Sequence, residues 1–290
     1  MRWQQGRRST NVDDRRGRAV AGRGIKLGGG LGVIVLLVVV LMGGDPMPFI
    51  SAMLDGSGGG VPAAPRQATA AEDELAEFTT HVLGMTEDVW AEAFQQAGRE
   101  YERPTLVLFT DAVRSACGLN SAATGPFYCP PDRQVYIDLG FFRDLGQMAG
   151  VSPAEFDFAG AYVIAHEVGH HVQNLLGTSA AVREAQQRSP AQRNELSVLL
   201  ELQADCYAGM WANRANALEG GGLLEPGDVE EGLRTAAAIG DDRLLKNAGR
   251  AASPESFTHG SSEQRARWLR AGLQSGDLEA CDTFADAGYR

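Results

Sequence analysis

Residues 166 to 171 read His-Glu-Val-Gly-His-His and contain the pattern H-E-x-x-H within a long apolar stretch. On a helix, His166 and His170 lie four residues apart and project from one face, where two neutral imidazoles can take two corners of a zinc tetrahedron. Glu167 lies one residue along and would reach a water on the metal instead of the metal itself. The pattern therefore predicts two zinc ligands and the general base of a hydrolytic site.

A catalytic zinc site needs a third protein ligand. The candidates are His171, Glu195, Glu201, Asp205 and His259. His171 adjoins His170 and is turned about 100° away on a helix, so it would not share the same metal. Glu201 and Asp205 are four apart and share a helix face. We expect Glu201, in preference to Glu195, to bind zinc, and Asp205 to accept the free ring N–H of a liganding histidine.

The alternative interpretation of these residues is a chance motif with ordinary solvated charges. Three fixed positions out of five recur by chance in many proteins. However, the flanks of the motif are typical of a buried helix, in which unpaired polar side chains are costly. Residues 197–208 around the Glu201/Asp205 pair are also too apolar for an exposed helix face. Both observations favour a metal site.

Charge is distributed unevenly along the 290 residues. Residues 1–26 hold eight basic side chains and two acidic ones, whereas the remainder holds 18 basic and 35 acidic residues, a formal charge of −17. Phosphate would repel that remainder, so the composition argues against nucleic-acid binding.

Residues 27–44 carry no charge and are long enough, at roughly 27 Å of helix, to cross a bilayer core. We therefore expect a basic cytoplasmic tail (1–26), a transmembrane anchor (27–44), a flexible linker rich in Gly, Pro, Ala and Ser (45–71) and a folded domain (72–290). The positive-inside rule then places the N-terminus in the cytoplasm and the domain outside it. A cleaved signal peptide is the alternative, although no A-x-A site follows the apolar run.

Cysteine usage suits an oxidising compartment. The four cysteines form no C-x-x-C pattern, which disfavours a thiolate zinc site. An even number in an extracytoplasmic domain indicates two disulfides, for which three connectivities are possible. We favour Cys117–Cys129 and Cys206–Cys281 over the other pairings and over free buried thiols.

Hydrophobic periodicity and turn residues predict a mostly helical α+β domain with a small sheet. Helices are expected at 86–98, from 153 to a stop at Gly177, from 190 towards 211, at 228–246 and from 261. Strands are expected at 104–109 and 134–139, with a loop at 118–131 between them. Capping boxes at Ser152 and Ser261 support two of the helix starts. We also predict that Tyr136 lies on an edge strand that pairs with an extended substrate.

H-E-x-x-H followed by E-x-x-x-D on a later helix resembles the gluzincin metallopeptidases. More closely, residues 72–290 resemble the bacterial family named putative neutral zinc metallopeptidase, whose members carry an N-terminal membrane anchor. The matching stretches, in chain order, include Thr86-Glu87-Asp88-Val89-Trp90, Ser115-Ala116-Cys117-Gly118, Gly125-Pro126-Phe127-Tyr128-Cys129-Pro130, His166–His171, Glu201–Cys206, Ala238–Arg243 and Cys281-Asp282-Thr283-Phe284. The resemblance implies a zincin-like fold, Zn²⁺, peptide-bond hydrolysis and a single-span anchor.

Thr258-His259-Gly260 together with Arg265 resembles a His-Pro…Arg element of CAAX-type proteases, with Gly260 in place of the proline. A histidine near the metal could donate to a developing oxyanion, which would make His259 catalytic. The alternative is a histidine at the start of a helix with no catalytic role.

The sequence thus predicts a membrane-anchored metalloendopeptidase that acts on peptide or protein substrates outside the cytoplasm. His166, His170 and Glu201 would hold Zn²⁺, and Glu167 would activate a zinc-bound water. The alternative function is a zinc-stabilised, catalytically inactive domain that binds other envelope proteins.

Overall fold

The computed structural model of the chain describes residues 1–17, 68–121, 125–151 and 156–289. Met1–Arg16 and Thr69–Arg290 form one folded unit. The anchor predicted at 27–44, nearly all of the linker predicted at 45–71, and the capping box predicted at Ser152 lie outside the described residues. No helix within the described parts of the chain combines the length and apolar character that a bilayer span requires.

Most of the folded unit consists of helices. They are α1 (Ala70–Gln96), α2 (Gly140–Ala149), α3 (Asp157–Leu176), α4 (Thr178–Arg188), α5 (Arg193–Leu218), α6 (Asp228–Ala238), α7 (Asp241–Asn247), α8 (Ser262–Ser275) and α9 (Thr283–Asp286). Short 3₁₀ turns occur at Trp3–Gln5, Pro190–Gln192, Pro254–Ser256 and Glu279–Cys281.

The strands form two small sheets. They are β1 (Val12–Asp14), β2 (Thr105–Phe109), β3 (Ala112–Ser115), β4 (Gly118–Ser121), β5 (Phe127–Cys129) and β6 (Gln134–Asp138). The four-stranded sheet has the order β1-β2-β6-β5, in which β1, β2 and β6 are parallel and β5 is antiparallel to β6. The hairpin of β3 and β4 forms the second sheet. The mostly helical α+β class predicted from the sequence is therefore confirmed.

The core lies where α3 and α5 pack together and against α1, α8 and the four-stranded sheet. The largest fully buried side chains include Trp90 on α1 and Trp211 on α5. Helices α5 and α8 approach very closely, because a Cβ on Gly272 would lie 2.0 Å from the carbonyl oxygen of Cys206. This approach brings the C-terminal half of α8 against the middle of α5.

Several predicted elements are confirmed and others need correction. The two strands predicted at 104–109 and 134–139 are β2 and β6, and Gly177 ends α3 in the left-handed region (φ 87°). Ser261 begins α8 with the predicted capping box. The single helix predicted at 228–246 is instead two, α6 and α7. They are separated at Gly240, where a Cβ would lie 2.2 Å from the backbone nitrogen of Ser262.

The prediction that Tyr136 lies on an edge strand is wrong. Strand β6 pairs with β2 on one side and with β5 on the other, so its backbone is already hydrogen-bonded on both sides. The edges of this sheet are β1 and β5. Tyr136 itself is buried and donates from its hydroxyl to Asp132.

Two observations concern the predicted start of the folded domain at residue 72. Helix α1 begins at Ala70 with Thr69 as its N-cap, because Thr69 and Glu72 form a reciprocal capping box. Residues 1–16 are part of the tail predicted at 1–26. They belong to the folded unit through the pairing of β1 with β2.

Candidate metal centre

Two adjacent helices supply the predicted metal ligands. Helix α3 is buried along most of its length and carries His166 and His170, while α5 carries Glu201. The helices lie close together at Gly169, where a Cβ would be only 3.2 Å from the carbonyl oxygen of Ala204. The small residue inside the H-E-x-x-H pattern thus lets the backbone of α5 approach the face that carries both histidines.

The three predicted ligands converge. One donor atom from each of His166, His170 and Glu201 lies within 4.8 Å of the others. Nε2 of His166 is 3.2 Å from Oε2 of Glu201, and Nε2 of His170 is 3.4 Å from Oε1 of the same carboxylate. Glu195, the rival third ligand, is exposed on the first turn of α5 and does not belong to this cluster.

Asp205 lies behind His166, as the i, i+4 spacing from Glu201 predicts. Its Oδ1 atom is 2.9 Å from Nδ1 of His166, and it also accepts a 2.6 Å hydrogen bond from the hydroxyl of Tyr162. Arg265 on α8 donates from two guanidinium nitrogens to the two carboxylate oxygens, each at 2.9 Å. Asp205 is fully buried, and these charged and polar partners compensate for the loss of hydration.

Glutamines orient the second histidine. Nδ1 of His170 is 2.9 Å from Oε1 of Gln173, whose amide nitrogen donates to the carbonyl oxygen of Leu200 at 2.7 Å. The same nitrogen lies 3.1 Å from Oε1 of Gln203. Each ligand histidine is therefore held through Nδ1, and its Nε2 faces the carboxylate of Glu201.

The electrostatics of the cluster favour positive charge. Burial alone would lower the pKa of His166, but Asp205 and Glu201 raise it to about 9. Burial likewise opposes the charged form of His170, whose pKa Glu201 nevertheless raises. Burial would raise the pKa of Glu201, yet the two histidines hold it well below its usual range. The carboxylates of Glu201 and Asp205 thus favour a positively charged partner at this point.

Glu167 and the metal cluster line one cavity of about 480 Å³. Glu167 is 7% exposed, and its neighbours in the cavity wall include the apolar side chains of Phe141, Val163 and Ile239. A second cavity of about 270 Å³ shares Tyr128, His170 and Glu201 with the first. The metal cluster therefore lies between two depressions of the surface.

His259 lines the larger cavity together with the metal cluster. Its Nδ1 atom lies 3.2 Å from Oδ1 of Asp241, and this contact raises the pKa of His259. The other oxygen of Asp241 accepts hydrogen bonds from the backbone nitrogens of Thr258, His259 and Gly260. Asp241 thus holds both the ring and the backbone of the segment that presents His259 to the cavity.

His171 takes no part in the cluster. Its Nδ1 lies 3.0 Å from the hydroxyl of Tyr128, and its Nε2 lies 2.6 Å from the carbonyl oxygen of Glu102. Burial lowers the pKa of His171, which is consistent with a neutral ring that joins α3 to neighbouring segments.

Both favoured disulfides are present, Cys117–Cys129 and Cys206–Cys281. The second links α5, five residues after Glu201, to the C-terminal segment across a sequence separation of 75 residues. The first joins the residue before β4 to the end of β5, the strand that contributes Phe127 and Tyr128 to the cavity.

Sequence reasoning missed part of the site. Tyr162 lies one turn before His166 in the flank that the sequence indicates only as part of a buried helix, whereas its hydroxyl donates to Asp205. Gln173 could have been noticed because it lies three residues after His170 on the same helix face. Arg265 was noted only for its resemblance to another protease element, and no spacing rule connects it to Asp205, 60 residues earlier.

A family model and several known proteins are similar to this chain. The family model described as "Putative neutral zinc metallopeptidase" matches residues 1–284. The uncharacterized protein YpfJ of Escherichia coli (strain K12) is 46% identical over 293 residues, covering 98% of this chain and 99% of the relative. The uncharacterized protein Rv2575 of Mycobacterium tuberculosis (strain H37Rv) is 43% identical over 194 residues, which is 64% of each chain. No solved structure matches the chain. Because this family model covers nearly the whole sequence, the chain belongs to the family described as "Putative neutral zinc metallopeptidase".

Proposed function

We propose that this protein is a zinc-dependent metalloendopeptidase whose active site is the cavity around His166, Glu167, His170 and Glu201. The observation that carries the proposal is the convergence of two imidazoles and one carboxylate within 4.8 Å, with Glu167 lining the same cavity. Two histidines and a glutamate, with one position open, are the donor set of hydrolytic zinc sites.

The residues present fit a zinc ion. The Nε2 atoms of His166 and His170 both face Glu201, and each Nδ1 is taken by another side chain, so the ring atoms left for a metal point to one place. When bound there, zinc would supply Lewis acidity that polarises a peptide carbonyl and acidifies water. His166, His170 and Glu201 would hold it, and Asp205 and Gln173 would orient the two rings.

Glu167 is assigned the proton transfers. Its carboxylate takes a proton from water as the water oxygen forms a bond to the carbonyl carbon of the peptide. The carbon–nitrogen bond then breaks, and Glu167 passes the proton to the leaving amine. Both steps need a carboxylate at the cavity wall that is not engaged as a ligand, which is the position of Glu167.

The shape of the site supports cleavage within a chain. A substrate that lies across the metal cluster can occupy the larger, mostly apolar cavity on one side and the smaller one on the other. The smaller cavity is lined by polar side chains such as Arg183, Gln186 and Ser197. Strand β5, at the edge of the sheet, takes the substrate-pairing role first assigned to β6, because Phe127 and Tyr128 line the larger cavity.

The location of His259 supports a catalytic role for it. A histidine that lines the cavity, and whose pKa is raised by Asp241, can donate in its protonated form to the oxygen that develops negative charge during attack. A zincin-like arrangement of the fold is part of the same proposal, since an edge strand and a metal helix border one cleft.

The rival function, a closed structural zinc site, is less well supported. A structural zinc requires four protein ligands. Among the residues that the structure describes, the cluster at His166 contains three donors, and it opens onto a cavity.

The two disulfides are the basis for the proposed compartment. Two disulfides in the folded unit favour an oxidising environment outside the cytoplasm. Attachment to a membrane through residues 27–44 stays a prediction from the sequence.

The test of the proposed function is Glu167→Gln in the full chain. We expect one zinc per chain by elemental analysis and a loss of peptide-library cleavage of about 10²- to 10⁴-fold. Glu195→Gln, an exposed substitution of the same type, serves as the control and should cleave like the parent. Cleavage by Glu167→Gln at the parent rate would refute the role of Glu167. A hydroxamate that fails to bind the zinc-loaded protein would refute an open site.

A further inference from the structure

Residues 1–16 are bound to the folded domain through backbone hydrogen bonds as well as side chains. Strand β1 pairs in parallel with β2, with Val12 opposite Leu106 and Asp14 opposite Leu108. Outside the strand, the backbone nitrogen of Ser9 donates to the carbonyl oxygen of Thr80 on α1 at 3.1 Å. The segment therefore follows both the sheet edge and helix α1.

A buried carboxylate on α1 is satisfied by this segment. Glu87 is 0% exposed. Its Oε1 atom accepts hydrogen bonds of 2.7 Å from the hydroxyl of Ser9 and from the side-chain amide of Asn11. Its Oε2 atom accepts one of 2.8 Å from Arg7. A buried carboxylate without such partners would be strongly destabilising, so the sequence of α1 is adapted to the docked segment.

Gly84 also indicates that the sequence of α1 is adapted to the docked segment. A Cβ on Gly84 would lie 2.0 Å from the carbonyl oxygen of Arg7. Glycine within a helix costs about 1 kcal/mol relative to alanine, and here it allows the two backbones to touch. Helix α1 thus provides both a space and a charge for residues 7–11.

Four of the five basic residues of the segment have acidic partners on the domain, and the fifth, Arg15, pairs with Asp13 within the segment. The pairs are Arg2 with Glu225, Arg7 with Asp88, Arg8 with Glu77, and Arg16 with Asp73. These arginines are among the residues from which the positive-inside rule predicted a cytoplasmic tail. Their pairing offers a different reason for the basic character of residues 1–16, namely complementarity to an acidic domain surface.

The two ends of the intervening chain meet. Arg16 donates from its guanidinium to the carbonyl oxygen of Glu72 at 2.8 Å. A chain that crosses a bilayer once has its ends on opposite sides of about 30 Å of hydrocarbon. Residues 1–16 therefore cannot be docked on the domain of a molecule whose chain crosses the bilayer once between residues 17 and 68.

We propose that residues 1–16 lie on the same side of the membrane as residues 69–289 and complete the folded domain there. This proposal replaces the topology predicted from charge alone, in which the N-terminal tail is cytoplasmic and the folded domain lies outside the cytoplasm. The proposal does not depend on peptidase activity.

Topology is tested by cysteine labelling of the full chain in spheroplasts with a membrane-impermeant maleimide. Thr10→Cys reports on the segment and Gln187→Cys on the domain, since both positions are exposed. The labelling of each cysteine in intact spheroplasts is divided by its labelling in permeabilised cells. We expect both cysteines to be labelled or both protected. Labelling of one with protection of the other would overturn the proposal.

Docking is tested separately on the purified full chain. Arg7→Glu places a negative charge against Glu87 and Asp88, so we expect a thermal midpoint lower by several degrees and faster proteolysis within residues 1–16. Arg188→Glu, at an exposed arginine on α4, is the matched control. Equal midpoints and equal proteolysis in the two variants would overturn the docked arrangement.

Discussion

The Oδ1 atom of Asp205 lies 2.9 Å from Nδ1 of His166, on the side of the ring opposite to Nε2, which faces Glu201. Arg265 and His166 hold the pKa of Asp205 at about 2 although burial opposes its charge, so the carboxylate can only accept a hydrogen bond. Nδ1 of His166 must then carry the proton. In the neutral imidazole that binds a metal, this leaves the lone pair of Nε2 directed at the proposed metal position.

Asp205→Asn should weaken zinc binding and destabilise the fold. We expect zinc affinity to fall about 10- to 100-fold, because the amide no longer fixes the tautomer of His166. The free energy of unfolding should fall by about 3 kcal/mol, because Arg265 keeps a buried charge without its partner. Competition with a chromogenic chelator and denaturant unfolding measure the two effects. Asp286→Asn removes a surface partner of Arg267 and should change neither; equal behaviour of the two variants would contradict the assigned role.

Glu201→Gln should abolish stoichiometric zinc binding, whereas Glu195→Gln should not. Both residues are on α5, but only the Glu201 carboxylate faces His166 and His170. Elemental analysis after dialysis measures zinc per chain. If Glu201→Gln retained one zinc through dialysis and Glu195→Gln lost it, the third ligand would be Glu195.

His259→Ala should lower kcat by about 10²- to 10³-fold with little change in KM, as expected for a donor to the developing oxyanion. The hydrogen bond to Asp241 raises the pKa of His259, so kcat should fall as pH rises through that raised pKa. Asp241→Asn removes the negative partner, and the alkaline fall of kcat should move to lower pH. An unchanged pH profile of kcat in Asp241→Asn would argue that His259 does not act as a cation.

Glu231→Gln should stabilise the protein at neutral and alkaline pH. Burial, with Asp157 and Asp228 nearby, raises the pKa of Glu231 from 4.5 to about 7 in the folded state. The charged carboxylate therefore costs stability as pH rises from 4.5 towards 7, and the neutral amide avoids that cost. We expect a gain on the order of 1–2 kcal/mol at pH 8 that disappears below about pH 4.5. Denaturant unfolding at several pH values measures it.

The control for this prediction is Glu230→Gln, next to Glu231 on α6 but exposed. It should show no such pH dependence. A stability gain in Glu231→Gln that is equal at all pH values would indicate a packing effect instead of the removal of a buried charge.

The sequence by itself determined which side chains can act together within one helix. Helical periodicity places His166 and His170 on one face, with Glu167 beside them, and it places Glu201 and Asp205 together on another helix. These relations follow from 3.6 residues per turn and need no knowledge of the rest of the fold.

Tertiary structure decided how the elements meet. The contact of Arg265 with Asp205 depends on the close approach of α5 and α8, and the burial of β6 removes Tyr136 from the sheet edge. The charges of residues 1–16 look the same in sequence whether they face a cytoplasmic solvent or the carboxylate of Glu87. Only the packing of distant segments distinguishes the two cases. A local sequence pattern determines on which face of a helix or strand a side chain lies, but not which other surface packs against that face.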